Sequence, residues 1–324
     1  MTKSLTRVET AAFLSAHDNY VILTHIRPDG DTLGSASALC LGLRSLGKTA
    51  HVLVNTGVGG RFRWMLESLT VEEAGKDDTV ISTDVASPGM LPDNAQGYLG
   101  RVRLRIDHHG SATSFSDLEL VDPDSASCAE VVYDVLELME APRQAEVLDR
   151  IYVGLSTDTG CFRFANTTAR SHITAAWLME AGARASELNA RLFESKKPQR
   201  VEAERLALNN LEYYFDGRCA LIYLTREDIL SSGVAPSDLE NLTSLPRAIE
   251  GVEVGLTLRQ QPGGSYKISV RTTDEVDACA IAKRLGGGGH VRAAGCELMG
   301  NLDNAKAAVL AEVKKELARC EQKE

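Results

Sequence analysis

The sequence lacks several patterns that identify whole classes of protein. Its seven cysteines are odd in number and include no C-x-x-C pair, which favours neither a disulfide framework nor a thiolate zinc site and indicates a reducing location. No stretch approaches the roughly 18 consecutive apolar residues of a membrane helix. The N-terminus also lacks the apolar segment of a signal peptide. We therefore predict a cytoplasmic protein without a membrane association.

Positive charge is also scarce. The 324 residues carry 35 Lys and Arg against 45 Asp and Glu, a formal net charge of −10. Such a chain repels a nucleic-acid polyanion unless a metal or a local basic patch offsets the charge, so long duplex nucleic acid is not an expected partner. Neither a P-loop nor a strand followed by G-x-G-x-x-G is present, which argues against binding of nucleoside triphosphates or NAD.

Short apolar segments alternate with helical segments in the first half of the chain. The predicted strands cover residues 20–25, 50–54, 79–84 and 102–107, and the predicted helices cover residues 32–46, 131–139 and 146–155. This alternation predicts an α/β fold with a mostly parallel sheet and helices on both faces. Residues 1–187 are the expected catalytic domain, and helices are expected to dominate it after residue 107.

A charged helical connector is predicted over residues 188–215. The chain beyond it, residues 216–324, is predicted to form a smaller α/β domain. In that domain, segments 252–258 and 266–271 are expected to pair as a hairpin.

Acidic and imidazole side chains follow the predicted strands. They are His25, Asp29 and Asp31 after the first strand, Asp84 after the third, and Asp107, His108 and His109 after the fourth. The carboxyl ends of parallel strands lie at one edge of a sheet, where open α/β folds bind ligands. Asp158 adds a carboxylate at a predicted helix end. Acidic groups that converge there repel one another unless a divalent cation lies between them, so the sequence predicts a metal site.

Each residue also has a purely structural interpretation. Gly30 would let the chain turn tightly, so that the carboxylates of Asp29 and Asp31 both point inward, but either aspartate could instead merely cap the following helix. His108 and His109 could be solvated, and Asp158 could belong to an ordinary C-terminal turn. Two aspartates and a histidine together favour the metal site. Carboxylates mixed with imidazoles are compatible with Mn²⁺, Mg²⁺ or Fe²⁺, and the residues alone do not identify the ion.

The order of these motifs resembles the DHH phosphoesterase superfamily. The shared pattern is His-x-x-x-Asp-x-Asp from His25, a lone strand-end Asp84, Asp-His-His from Asp107, and Thr-Asp-x-Gly from Thr157. Gly287-Gly-Gly-His-x-x-Ala-Ala-Gly295 is similar to the DHH-associated C-terminal domain. Among members, the two-domain layout is most similar to the bacterial nanoRNase/pAp phosphatases.

This resemblance implies two manganese ions that share one carboxylate. His25, Asp29 and Asp84 would hold the first ion, and Asp31, Asp84, His108 and Asp158 the second. Asp107 would orient its neighbours, and His109 would contact the phosphate or donate a proton to the leaving oxygen. A hydroxide shared by two such ions is the expected nucleophile.

The substrates that the resemblance implies are very short RNA, cleaved to mononucleotides, and 3′-phosphoadenosine 5′-phosphate (pAp), converted to AMP. A cyclic or linear dinucleotide phosphodiesterase, of the cyclic di-AMP or pApA type, is the first alternative. A nucleotide-binding sensor without turnover is the second.

Substrate contacts are expected mainly in the second domain. The backbone at Gly288 and Gly289 and the imidazole of His290 could approach a phosphate, and Arg271 and His290 are the candidates for contact with the substrate's second phosphate. Arg163 could reach the cleft or stack on the neighbouring aromatic residues. So few basic groups suit a substrate of one or two nucleotides better than a long strand. The small-residue helices could pack against a second copy of the chain, so a homodimer is a further expectation.

Overall fold

The computed structural model describes residues 2–110, 113–235, 239–273 and 275–321. The chain divides between Ser195 and Lys196 into two units, and this point lies within the predicted connector. None of the helices among the described residues combines the length and the apolar character that a membrane crossing requires.

The first unit is built on a seven-stranded parallel sheet with the strand order β1-β7-β6-β5-β2-β3-β4. The strands are β1 (Lys3–Ser4), β2 (Tyr20–Leu23), β3 (Ala50–Leu53), β4 (Thr70–Val71), β5 (Thr79–Thr83), β6 (Val102–Asp107) and β7 (Leu118–Val121). The helices are α1 (Arg7–Ala16), α2 (Gly30–Ser45), α3 (Asp93–Gln96), α4 (Cys128–Leu138), α5 (Ala145–Asp158), α6 (Ala169–Glu180) and α7 (Ala185–Asn189). The predicted α/β class with a parallel sheet is confirmed.

Strand β2 lies at the point where the order of the sheet reverses. From β2 the chain continues outward to β3 and β4, returns to β5 on the other side of β2, and then continues outward to β6 and β7. The connections after β2 and β5 therefore leave the sheet in opposite directions. Such a switch point opens a crevice at the carboxyl ends of the two strands.

Both faces of the sheet are buried. Tyr20 and Ile22 of β2 belong to a core shared with α2, α4 and α5, whereas Val21 and Leu23 belong to a second core on the opposite face. The second core is completed by the short segments around Leu91 and α3. Burial on both faces explains why β2 is a continuous apolar run in the sequence.

Helices α2 and α5 approach each other closely at two glycines. A Cβ atom on Gly34 would lie 2.6 Å from the Arg150 carbonyl oxygen, and one on Gly154 would lie 2.8 Å from Asp31 Oδ1. Only glycine allows backbones this close. The contact joins the helix that follows β2 to the helix that ends at Asp158.

The second unit is built on a six-stranded mixed sheet with the order β12-β13-β11-β10-β9-β8. Its elements are α8 (Pro198–Asn209), β8 (Glu212–Tyr214), β9 (Cys219–Leu224), α9 (Arg226–Ser232), β10 (Val254–Gln260), β11 (Tyr266–Thr272), α10 (Ala278–Arg284), β12 (Gly288–His290), β13 (Ala293–Leu298) and α11 (Leu302–Glu321). The antiparallel pairing of β10 with β11 confirms the predicted hairpin.

The glycine run of the second unit is an edge strand. Residues 288–290 form β12, which pairs antiparallel with β13. A Cβ atom on Gly287 would lie 2.2 Å from the Gly295 carbonyl oxygen, and Gly289 has a φ of +141° that suits glycine. These glycines are therefore required by the close strand packing itself, whatever their contacts with a substrate.

Candidate metal centre

Asp84 occupies a strained position directly after β5. Its φ is +58°, in the left-handed region that few residues other than glycine adopt and that aspartate tolerates better than most. The Asp84 N–H donates to the Ile106 carbonyl oxygen at 2.9 Å, which ties it to the end of β6. Strain of this kind is typical of functional sites.

One oxygen of Asp84 faces a first group of metal-binding side chains. Asp84 Oδ2 lies 3.6 Å from His25 Nε2, and the same nitrogen lies 3.6 Å from Asp29 Oδ1. These separations are too long for hydrogen bonds. They match two donors bound to one cation at about 2.0–2.2 Å, which lie roughly 3.0–3.7 Å apart.

The other oxygen of Asp84 faces a second group. His108 Nε2 lies 3.7 Å from Asp84 Oδ1, from Asp31 Oδ2 and from Asp158 Oδ2. Because its two oxygens face different groups, Asp84 stands between two possible cation positions. The six residues predicted as metal ligands are thus brought together in this unit.

Two further features fit a cation site. His108 Nδ1 lies 3.2 Å from the Ser125 carbonyl oxygen, and a proton donated there leaves Nε2 with its lone pair facing the carboxylates. Asp84 Oδ1 is buried and has no hydrogen-bond partner among the described residues. Buried acceptors are rarely left unpaired, and a cation at this position would satisfy it. Ser125 could not be found from the sequence, because it contributes only a backbone carbonyl.

The two aspartates near the start of α2 have different roles. Asp29 caps this helix, since its Oδ1 accepts the N–H groups of Asp31 at 3.0 Å and Thr32 at 3.1 Å. Asp31 is buried and accepts the N–H groups of Cys128 at 2.7 Å and Ala129 at 2.9 Å, at the start of α4. Of the two aspartates, Asp29 is thus the cap of α2, and Asp31 is not.

Gly30 is required for a different reason from the turn expected between the two aspartates. Gly30 is the first residue of α2 and is not among the residues with positive φ. A Cβ atom there would lie 2.2 Å from Thr157 Oγ1. The glycine is needed for space, because the start of α2 packs against the end of α5.

Asp158, the last residue of α5, is held by a residue that the sequence gave no reason to single out. Asn166 Nδ2 lies 3.2 Å from Asp158 Oδ2 and 3.0 Å from the Ala126 carbonyl oxygen. Gly160 has a φ of +57°, as expected for a C-terminal turn. The turn and the metal-facing carboxylate therefore coexist.

The clustered carboxylates strongly affect one another. Burial, together with the charge of Asp158, raises the pKa of Asp31 to about 7, and burial with the charge of Asp29 raises the pKa of Asp158 to about 6. Burial and the neighbouring carboxylates raise the pKa of Asp84 well above its usual value. Partial burial of Asp29 is outweighed by the attraction of His25 and by backbone N–H donors, so its pKa is lowered.

These directions predict how metal binding depends on pH. A carboxyl with a raised pKa stabilises the metal-free fold at low pH and loses that contribution as the pH rises through about 7. A cation must displace the protons, so we expect the rise in melting temperature caused by Mn²⁺ to shrink steadily from about pH 8 to about pH 5.5. Thermal melts of EDTA-treated protein with and without Mn²⁺ measure this rise in melting temperature at each pH. An equal rise at all pH values would contradict the assigned ligands.

Asp107 and His109 form a second hydrogen-bonded group beside the carboxylates. Asp107 is fully buried, and its Oδ1 lies 2.8 Å from His109 Nδ1 and accepts the His108 N–H at 2.8 Å. The hydrogen bond to Asp107 raises the pKa of His109. His109 Nδ1 is also 3.6 Å from Asp84 Oδ1, but its bond to Asp107 leaves Nε2 as the atom free to meet a substrate.

Arg105 lies beneath this pair and was not singled out from the sequence. Its side chain is buried, with Nη1 3.6 Å from Asp107 Oδ2 and Nη2 2.7 Å from Glu119 Oε2. The ion pair with Arg105 holds the Asp107 carboxylate in place beneath the His109 ring.

Two of the predicted substrate contacts share one face of the second sheet. Arg271 pairs with Ala293, and Ala293 pairs with His290, in the antiparallel register. Directly opposed residues point to the same face, so Arg271 and His290 flank the small Ala293 about 10 Å apart across three strands. Gly288 and Gly289 are exposed beside them. Arg271 Nη1 donates to the Val270 carbonyl oxygen at 3.1 Å, and contact of these residues with a phosphate stays a prediction from the sequence.

Arg163 lies in the first unit, on the loop after Asp158. Its side chain is exposed, and its Nε donates to the Gly160 carbonyl oxygen at 2.7 Å. Among the described residues, no cation–π contact involves it.

Two family models match the sequence. The model of the DHH family N-terminal domain matches residues 19–155, which include five of the six predicted ligands, and the model of the DHHA1 domain matches residues 219–318. Asp158 lies just outside the first match. The two matches fall in different units of the structure.

Relatives match over nearly the whole chain. The bifunctional oligoribonuclease and PAP phosphatase NrnA of Thermus thermophilus is 35% identical over 302 residues, which cover 92% of this chain and 90% of the relative. The protein of the same name from Bacillus subtilis is 26% identical over 298 residues, covering 90% and 93%. The crystal structure of an exopolyphosphatase-related protein from Bacteroides fragilis has a TM-score of 0.88 at 22% identity and 97% coverage of both chains, which shows a shared fold.

Proposed function

Because the chain belongs to the DHH family and is therefore a phosphoric ester hydrolase, we propose that it cleaves very short RNA to mononucleotides and converts pAp to AMP. One observation carries this proposal: the two oxygens of Asp84 face separate groups of nitrogen and oxygen donors. Such a bridging carboxylate suits a two-metal phosphoesterase. The names of the relatives support the two substrates.

We propose Mn²⁺ as the bound metal, with Mg²⁺ or Fe²⁺ as alternatives that the same donors could hold. Carboxylates and imidazoles are hard to borderline donors, and no thiolate is among the grouped residues. His25, Asp29 and Asp84 would hold one ion, and Asp31, Asp84, His108 and Asp158 the other. When bound, the two ions would supply the attacking hydroxide and neutralise charge on the phosphate.

His109 would act on the leaving group. Its Nδ1–H is donated to Asp107, so the ring is held in one orientation with Nε2 facing outward. The raised pKa keeps the imidazole protonated closer to neutral pH. We assign His109 Nε2 as the proton donor to the departing ribose oxygen, and Asp107 as the residue that orients it.

Substrate length would be limited by charge. The chain is strongly acidic, and the predicted phosphate contacts of the second unit are few: Arg271, His290 and the exposed strand with Gly288 and Gly289. Each further phosphate of a longer RNA would need its own compensating charge. Arg163 is a candidate contact in the first unit.

An activity panel in Mn²⁺ tests the proposal. The substrates are RNA from two nucleotides upward, pAp and cyclic di-AMP. We expect the highest kcat/KM on the shortest RNA, with turnover of pAp and loss of all activity in EDTA. A clear preference for cyclic di-AMP would favour the dinucleotide phosphodiesterase, and tight nucleotide binding without hydrolysis would favour the sensor. A cytoplasmic location and a homodimer stay predictions from the sequence.

A further inference from the structure

The loop after Asp158 carries a solvent-exposed aromatic side chain. Phe164 is 53% exposed, whereas Phe162, two residues earlier, packs against the hydrophobic core and stacks on His172 with ring centroids 5.0 Å apart. The Phe162 ring anchors the loop in the unit. The Phe164 ring remains available to a ligand.

The backbone of this loop is strained. Gly160, Cys161 and Phe162 have successive φ values of +57°, +59° and +62°. Each left-handed residue other than glycine is disfavoured, and strain of this kind persists where the surrounding structure fixes the conformation. The fixed turn directs residues 163 and 164 back toward the end of α5.

Phe164 itself is held in one place. Its N–H donates to the Thr159 carbonyl oxygen at 3.0 Å, and its own carbonyl accepts the Thr167 N–H at 3.1 Å. Its ring lies against Gly160, where a Cβ atom would be 2.4 Å from ring atom Cζ. One edge of the ring is therefore supported by glycine, while about half of its surface faces solvent.

This ring stands beside the candidate metal centre. Gly160, which the ring contacts, is two residues from Asp158, so their Cα atoms are at most about 7.6 Å apart. Two residues beyond Phe164, Asn166 donates to Asp158 Oδ2, the oxygen that faces His108. The segment thus follows Asp158 directly along the chain on one side of the exposed ring and contacts it through Asn166 on the other. A base attached to the nucleotide whose phosphate lies at the metals would be within reach of it.

We propose that Phe164 is the platform on which the nucleobase next to the scissile phosphate stacks. This inference rests on the proposed function and adds a base-binding site in the first unit. Every base has a π face, so a phenyl platform selects nucleotides over other phosphate esters without selecting among bases. Arg163, exposed beside it, could contact the same nucleotide.

The test compares substrates that differ only in the base. KM and kcat are measured for the full chain with Mn²⁺ on pAp and on ribose 3,5-bisphosphate, the same molecule without adenine. Phe164→Ala should raise KM for pAp about 5- to 100-fold with little change in kcat, and leave both constants for the base-free compound unchanged. Phe164→Tyr should restore the wild-type KM. Trp177→Ala, which removes an aromatic side chain 55% exposed on α6, is the matched control and should have no effect.

The outcomes separate this inference from the function on which it rests. If wild type hydrolyses pAp and Phe164→Ala has an unchanged KM, the stacking role is wrong and the proposed function stands. An equal loss on both substrates would also overturn it, because it would indicate a general disturbance of the site. If wild type neither hydrolyses nor binds pAp in a direct titration, both proposals fail.

Discussion

Replacing Asp84 with asparagine should abolish hydrolysis and at the same time make the metal-free protein harder to unfold. The carboxylate faces both groups of candidate ligands, so its loss weakens both cation positions at once. We expect turnover of pAp or a dinucleotide to fall about 1,000-fold or more, which corresponds to roughly 4 kcal/mol of transition-state stabilisation. Asparagine is the suitable replacement, because it has nearly the same shape and tolerates the left-handed backbone of this position.

The gain in stability follows from the burial of Asp84 among the other candidate metal ligands. Its charge is buried near Asp31, Asp107 and Asp158, and this environment raises its pKa. A neutral amide removes that repulsion, so the metal-free variant should melt about 2–4 °C higher for each kcal/mol gained. The variant should also lose most of the stabilisation that Mn²⁺ gives to wild type. Activity assays and thermal melts with and without Mn²⁺ measure both effects.

Asp117→Asn is the matched control. This aspartate is exposed and forms a surface ion pair with Arg103, so neither activity nor the response to Mn²⁺ should change. Near-normal hydrolysis by Asp84→Asn would refute its bridging role. A lower melting temperature of the metal-free variant would refute the repulsion among the carboxylates.

Replacing His109 with asparagine should slow hydrolysis about 100- to 10,000-fold when the leaving group is a ribose oxygen. A ribose alkoxide is a poor leaving group and needs a proton as the bond to phosphorus breaks. A p-nitrophenolate leaves without one, so we expect a far smaller loss on a p-nitrophenyl ester of a nucleotide. The ratio of the two losses measures the proton donation itself.

The leaving-group comparison separates the two roles that the sequence left open for His109. If the ring only contacts the phosphate, both substrates should lose activity equally, and the assignment as proton donor would be wrong. Asp107→Asn should show the same selective loss to a smaller extent, because the ring would keep its place but lose the charge that orients it. His51→Asn, on β3 and outside the grouped residues, is the control.

The sequence predicted the edge of the sheet on which these groups lie. Short, largely apolar segments alternate with helical ones, and Asp84 and Asp107 come at the ends of two of the strands. The carboxyl ends of parallel strands lie at one edge of a sheet. Residues at three strand ends could therefore be grouped without knowing how their side chains pack. The α/β class followed from the same alternation.

The rest depended on contacts between distant parts of the chain. Asp31 accepts N–H groups from Cys128 and Ala129, almost a hundred residues later, so no local pattern could distinguish it from a cap of its own helix. The first unit was expected to be mainly helical after residue 107. The short strand β7 was missed because its four residues are too few to show a clear alternation of apolar and polar residues. Asn166 acts through a single amide, for which the sequence offers no signal.

The contact of α2 with α5 at Gly34 and Gly154 has a consequence for the choice of metal. Asp31 and Asp158 are carried by these two helices, so the distance between their carboxylates follows from tight backbone packing. A frame of this kind cannot contract much around a smaller ion or expand around a larger one. Discrimination between cations would then be set by their radius and preferred number of donors.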